Sequence, residues 1–197
     1  YPVGEPSLMT QMQGILDQLV ILGYLMVLIF AILLWVLFRS ASALFWPLLT
    51  IALSVAWCWG FTVLLGLELS SMIGLTVLLI FSVGIADCVH VMSAYFSFRR
   101  EGIEHRNALT KSYKKVGLAI LLTTLTTEAG ILVLATSNLE PIRVFAYMCA
   151  FGVVLAFFFT IVLLPILLDI WHPTGIAEKD SIADRLGTGW HRLNPGV

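Results

Sequence analysis

Charge is scarce in this sequence: only 12% of its 197 residues are charged, while 59% are apolar. Soluble domains carry roughly 25% charged and 45–50% apolar residues, so the shortage excludes an ordinary water-soluble globule and makes a bilayer the natural solvent. No basic field broad enough for nucleic acid is present. The net charge of −1 says little, because in membrane proteins the placement of Lys and Arg matters more than their sum. Cysteine is also rare. Cys58, Cys88 and Cys149 lie inside apolar runs, without CxxC or Cys/His spacing, and read as small packing residues instead of a metal or redox site. No cofactor is expected. The first residues, Tyr1-Pro2-Val3-Gly4-Glu5-Pro6, have neither an initiating Met nor the basic end and apolar stretch of a signal peptide. The expectation is a piece of a longer polypeptide.

Long apolar runs are what the sequence does have. Five reach the roughly 20 residues needed to cross the hydrocarbon core as a helix, at about residues 19–38, 43–66, 71–96, 116–135 and 144–170. Each run is continuous instead of alternating, and a helix satisfies its own backbone in lipid. An all-α membrane protein with a five-helix transmembrane bundle is therefore predicted. Residues 1–18 read as an external lead-in from an extracytoplasmic domain, residues 19–170 as the transmembrane domain, and residues 171–197 as a cytoplasmic linker. In that linker Ile182, Leu186, Trp190 and Leu193 form one apolar stripe beside Asp184, Arg185 and Arg192. The pattern predicts a C-terminal interfacial amphipathic helix, with a partly ordered linker as the alternative.

Orientation follows from the connections. With the amino end external, the cytoplasmic side collects Arg39, Arg99, Arg100, Arg106, Lys111, Lys114, Lys115, Lys179, Arg185 and Arg192, leaving Arg143 outside. That is a clear positive-inside pattern. The connection at residues 97–115 is predicted to lie against anionic headgroups, with room for a short surface helix. Pro165, near the inner end of the fifth span, is expected to kink or end that helix, whereas Pro47 falls in the first turns of the second span, where proline is tolerated.

Two spans carry an acid at hydrocarbon depth. Asp87 stands about nine residues, or roughly 13 Å, from the inner end of its helix, and Glu128 about twelve residues, or roughly 18 Å, from the inner end of the next. A charged acid so deep costs at least about 2.5–3.5 kcal/mol, so it should face other helices, titrate, or both. The depths differ by only about 5 Å, close enough for the two acids to interact. His90 follows Asp87 at i+3, one turn nearer the cytoplasm, and histidine titrates near neutral pH. Asp87 is thus a candidate proton carrier with His90 as relay or inner gate. The alternative is an Asp–His pair that only holds helices together. Around Glu128, the hydroxyls of Thr123, Thr124, Thr126 and Thr127 form either a hydrated polar seam or interhelical glue. Gly84, Gly130 and Gly152, with other small residues, mark places where helices can approach closely.

These residues resemble the resistance-nodulation-division superfamily, in particular its MMPL-type exporters of hydrophobic and amphiphilic molecules. The resemblance rests on Gly66-Leu67-Glu68-Leu69-Ser70 before the third span and Gly84-Ile85-Ala86-Asp87-Cys88-Val89-His90 with Tyr95 following. Thr123-Thr124-Leu125-Thr126-Thr127, then Pro141-Ile142-Arg143 and Leu164-Pro165, continue it in order. It covers residues 1–170. Such transporters have two similar halves of six helices, each with a large external domain after its first helix. The resemblance implies that this chain is helices two to six of one half, the first half being favoured, and that a second transmembrane half belongs to the same polypeptide. It further implies proton-driven export of lipid-like or amphiphilic substrates across a bacterial inner membrane, with Asp87 as the translocation residue. Glu128 departs from the pattern, since a small or apolar residue is expected there. Membrane lipids and an amphiphilic substrate are the expected partners, with homo-oligomerisation left open and no nucleic acid.

Two other classes compete. Val83-Gly84-Ile85-Ala86-Asp87 is one residue away from the Gly-x-Gly-Asp signature of intramembrane aspartyl proteases, but that chemistry needs two acids sharing a proton, and Glu128 would have to be the second. A non-enzymatic role is expected instead. The sterol-sensing domains of eukaryotic membrane proteins share the five-helix unit and bind lipid without exporting it, which makes a lipid-sensing module the main alternative.

Overall fold

A computed structural model describes the backbone at residues 5–64, 66 and 73–171, and side chains at residues 18, 21–64, 66 and 74–171. Among these residues the chain is entirely helical between its turns, with α1 at Glu5–Phe38, α2 at Ala41–Leu64, α3 at Ile73–Arg100, α4 at His105–Leu134 and α5 at Glu140–Ile170. All five are long and apolar enough to cross a membrane. The interfacial helix expected at residues 182–193 lies outside the described residues, as do residues 67–72 between α2 and α3.

Each helix extends beyond its apolar run at one end. An apolar run marks only the hydrocarbon, whereas a helical backbone continues through the headgroup layer wherever polar residues tolerate it. The largest change is at the expected connection 97–115. Helix α3 runs on to Arg100 and α4 already begins at His105, so the connection shrinks to residues 101–104, and the basic residues after it belong to α4. Gly102, at φ +79°, makes this possible. Its N–H reaches Arg99 O, and the next N–H, of Ile103, reaches back to Phe98 O. That pairing closes a helix at a left-handed residue, where glycine has no Cβ to strain. A second tight turn joins α1 to α2, with Arg39 at φ +47°. At the other end of the bundle, Pro141 sits in the first turn of α5, where its missing N–H has no intrahelical partner to lose. Pro165 does not end α5, which continues to Ile170.

Helix α3 packs against all four other helices, α5 against α2, α3 and α4, and α1 against α2 and α3. Two glycines allow the closest approaches. A Cβ at Gly84 would overlap Ile51 and stand 3.2 Å from Ala156 Cβ, and one at Gly152 would overlap Ile80 and stand 3.3 Å from Cys58 Sγ. Gly130 differs: it is exposed, with nothing within 4 Å of the corresponding position, so no described helix approaches it. Helix α1 turns large apolar side chains outward, among them Ile21, Leu25, Ile29 and Val36, as expected of a lipid-facing surface.

Candidate functional site: buried acids and a polar network across α3, α4 and α5

Helix α3 crosses the bundle with two very different faces. Ile80, Gly84, Cys88, Val91 and Tyr95 point inward, whereas Ser82, Ala86, His90, Ser93 and Ser97 form an exposed stripe. Asp87 lies on the inner side of the boundary between them, only 4% exposed. Its Oδ2 has no hydrogen-bond partner among the described residues. His90 is exposed, and no hydrogen bond or ion pair joins it to Asp87. The i+3 step turns about 60° away from the starting residue, enough here to pass from a packed face to an open one.

Glu128 is half-buried, and its Oε1 is likewise buried without a partner. It lies in electrostatic reach of Cys149, whose thiol hydrogen-bonds Thr76. Asp87 instead neighbours Cys88, which meets the Thr160 hydroxyl at 3.5 Å. No hydrogen bond or ion pair connects the two acids. The threonines of α4 divide between faces: Thr124 points inward, Thr123 and Thr126 outward, and Thr127 is half-buried. The hydroxyls of Thr123 and Thr124 both donate to Ile120 O, and that of Thr126 to Leu122 O and Thr123 O. Three of the four therefore satisfy their own helix, as threonines in apolar surroundings commonly do.

A further polar group, which sequence reading did not assemble, sits where α3, the start of α4 and the end of α5 meet. This is the end of the bundle that carries Arg99, Arg100 and Arg106. Tyr95 Oη lies 2.8 Å from His105 Nδ1. His105 Nε2 stands 3.4 Å from Asp169 Oδ1, and Arg106 Nη2 reaches Asp169 Oδ2 at 3.3 Å. About two helical turns further into the bundle, Tyr113 Oη donates to Thr160 O at 2.7 Å. Between the two layers a cleft of about 370 Å³ opens between α4 and α5, lined by Arg106, Leu109, Thr110, Tyr113, Pro165, Ile166 and Asp169. In the sequence Tyr95 belongs to a motif and Asp169 stands at the extreme end of the fifth apolar run, residues 144–170. Their meeting with His105 joins positions 74 residues apart along the chain, which no local pattern reports.

An apolar groove of about 460 Å³ lies between α1, α2 and α3, lined by Gly23, Tyr24, Met26, Val27, Ala52, Val55, Ala56, Trp59, Val77 and Phe81. No group of three or more His, Cys, Asp or Glu side chains is placed to hold a metal ion among the described residues.

The MMPL family profile matches residues 3–195. A relative described as a membrane protein, from Methanocaldococcus jannaschii, is 29% identical over 164 residues, covering 83% of this chain and 41% of that protein. The chain thus spans well under half the length of that relative. No solved structure matches significantly. With five membrane-length helices and a profile match along nearly its whole length, the chain belongs to the MMPL family.

Proposed function

We propose that this chain is the membrane part of one half of a transporter that couples proton movement through Asp87 to export of lipid-like or amphiphilic molecules. The observation that carries the reading is the carboxyl of Asp87, all but fully enclosed at mid-helix with Oδ2 unpartnered. An intramembrane acid without a structural partner is a functional group by default, because lipid gives no other reason to retain it. Glu128 serves as a secondary protonatable site on α4, beside the hydroxyls of Thr123, Thr124, Thr126 and Thr127.

The exposed stripe on α3 supports a missing neighbour. Ser82, His90, Ser93 and Ser97 are poor lipid-facing residues, in contrast to the branched aliphatics of α1, and small or polar positions suit close helix contact. The second transmembrane half of the same polypeptide is the proposed partner. His90 would then relay protons across the contact instead of along α3. The membrane is the cytoplasmic membrane of a prokaryotic cell, with the Arg-rich end of the bundle inward.

Two observations weigh on the rivals. Proteolysis by paired acids requires a shared proton, and Asp87 and Glu128 are not hydrogen-bonded to each other. The apolar groove between α1, α2 and α3 favours a lipid-binding module as the second reading, since its walls suit an acyl chain or a sterol body. The deciding experiment is proton-linked substrate movement in vesicles holding the full-length protein. Asp87→Asn should abolish coupling. Undiminished proton-dependent transport by that variant would sink the carrier assignment, whereas no proton-linked substrate movement by the unaltered protein would leave the lipid-binding module.

A further inference from the structure

The proton reading of Asp87 leaves a question that His90 does not answer: how a proton crosses between Asp87 and the Arg-rich end of the bundle. The side chains between them on α3, Val91 and Met92, are fully buried and apolar. His90 itself is exposed.

We propose that His105, clamped between Tyr95 and Asp169, is the proton-exchange residue that serves Asp87 from the Arg-rich end of the bundle. This rests on the carrier reading of Asp87. The first argument is graded exposure. Tyr95 is fully buried, the His105 side chain is 15% exposed and that of Asp169 46% exposed. The three therefore lead stepwise from water into the packed interior. The second argument is polarity. A carboxylate 3.4 Å from Nε2 favours a proton on that nitrogen, which leaves Nδ1 to accept the Tyr95 hydroxyl at 2.8 Å. A proton handed over by the Tyr95 hydroxyl, which is reprotonated from the interior, can then be bound at Nδ1 while the Nε2 proton leaves to Asp169, so the imidazole gains and loses one proton per passage. The third is location. Tyr95 stands eight residues from Asp87 on α3, about 12 Å away along the helix. The α4–α5 cleft lets water reach Asp169 at its rim and Tyr113 at its inner end. Deeper in the bundle Tyr113 donates to the backbone carbonyl of Thr160, and the separate hydroxyl of Thr160 meets the thiol of Cys88, the residue after Asp87.

Charges of both signs surround His105: Asp169 on α5 beside the ring, Arg99 on α3 in hydrogen-bonding reach of Tyr95, and Arg106 on α4 paired with Asp169. Glu104, the residue before His105, is turned to Asn107.

The test is proton flux in vesicles holding the full-length transporter, measured with a trapped pH dye while pH is varied on the Arg-rich side. His105→Gln should slow flux by about tenfold or more, equivalent to about 1.4 kcal/mol of barrier, and flatten its dependence on pH across roughly 5 to 8. Tyr95→Phe and Asp169→Asn should shift the same profile. Asp169, being half-exposed, can be changed even if His105→Gln does not fold. A slower rate with an unchanged pH profile would reduce the cluster to a clamp between helices and overturn the proposal. Wild-type flux in His105→Gln and Asp169→Asn, with Asp87→Asn inactive, would overturn it while sparing Asp87. Undiminished flux in Asp87→Asn would instead remove the carrier reading itself.

Discussion

Replacing Asp87 by leucine should make the protein more stable and unable to couple protons. Leucine has the branching of aspartate, with methyl groups where the carboxyl oxygens stand. On the insertion scale, aspartate at a helix centre costs about 2.5–3.5 kcal/mol, whereas leucine contributes about −0.3 to −0.6 kcal/mol. The exchange is thus worth roughly 3–4 kcal/mol in favour of the variant. Against this stands crowding: Asp87 is 4% exposed, and enlarging a packed side chain costs about 1–3 kcal/mol. No hydrogen bond to Oδ2 is lost, since it has none. The balance is a gain of up to about 3 kcal/mol from these two terms. It can be measured on the full-length protein in mixed micelles titrated with a denaturing detergent, with Ile80→Ala as reference. Ile80 is fully buried, and its truncation should cost about 2–5 kcal/mol. Opposite signs for the two variants are expected. If Asp87→Leu were as damaging as Ile80→Ala, the carboxyl would be a structural fastening, and the inference from burial to function would fail.

Three other outcomes follow from the same packing and chemistry. Gly152→Val should destabilise the bundle by about 1–3 kcal/mol through overlap with Ile80 and Cys58, and the penalty should shrink when Ile80→Ala opens the space. Equal penalties in both backgrounds of that double-mutant cycle would refute the contact. Ala56→Trp, which fills the groove between α1, α2 and α3, should weaken binding of a fluorescent amphiphile while leaving proton flux in the absence of substrate intact. Unchanged amphiphile affinity would place the binding surface elsewhere. Glu128→Gln should alter the pH dependence of transport without abolishing it. If neither rate nor profile moves, α4 contributes packing alone.

How much of this was legible beforehand differs from residue to residue. The positions of Asp87 and Glu128 inside apolar spans could be read directly, because a membrane-length run counts off depth at a fixed rise per residue. Which way each acid faces could not. A soluble helix shows its buried face as an apolar stripe against a polar one, but in lipid the outward face is apolar too, and the periodic signal fades. The pairing of Asp87 with His90 by i+3 spacing therefore had equal sequence support whether His90 pointed inward or, as found, outward. Gly130 looked no different from Gly84 and Gly152 for the same reason.

What the sequence determined by itself is the solvent, the number of crossings and the depth of the ionisable groups. These are one-dimensional properties set by the length and composition of each apolar run. Only the tertiary structure decided the rotation of each helix about its axis and the meeting of Tyr95, His105 and Asp169. Rotation is governed by close contacts such as Gly84 against Ile51 and Gly152 against Ile80. Those contacts join residues far apart in the chain, and no local pattern encodes them.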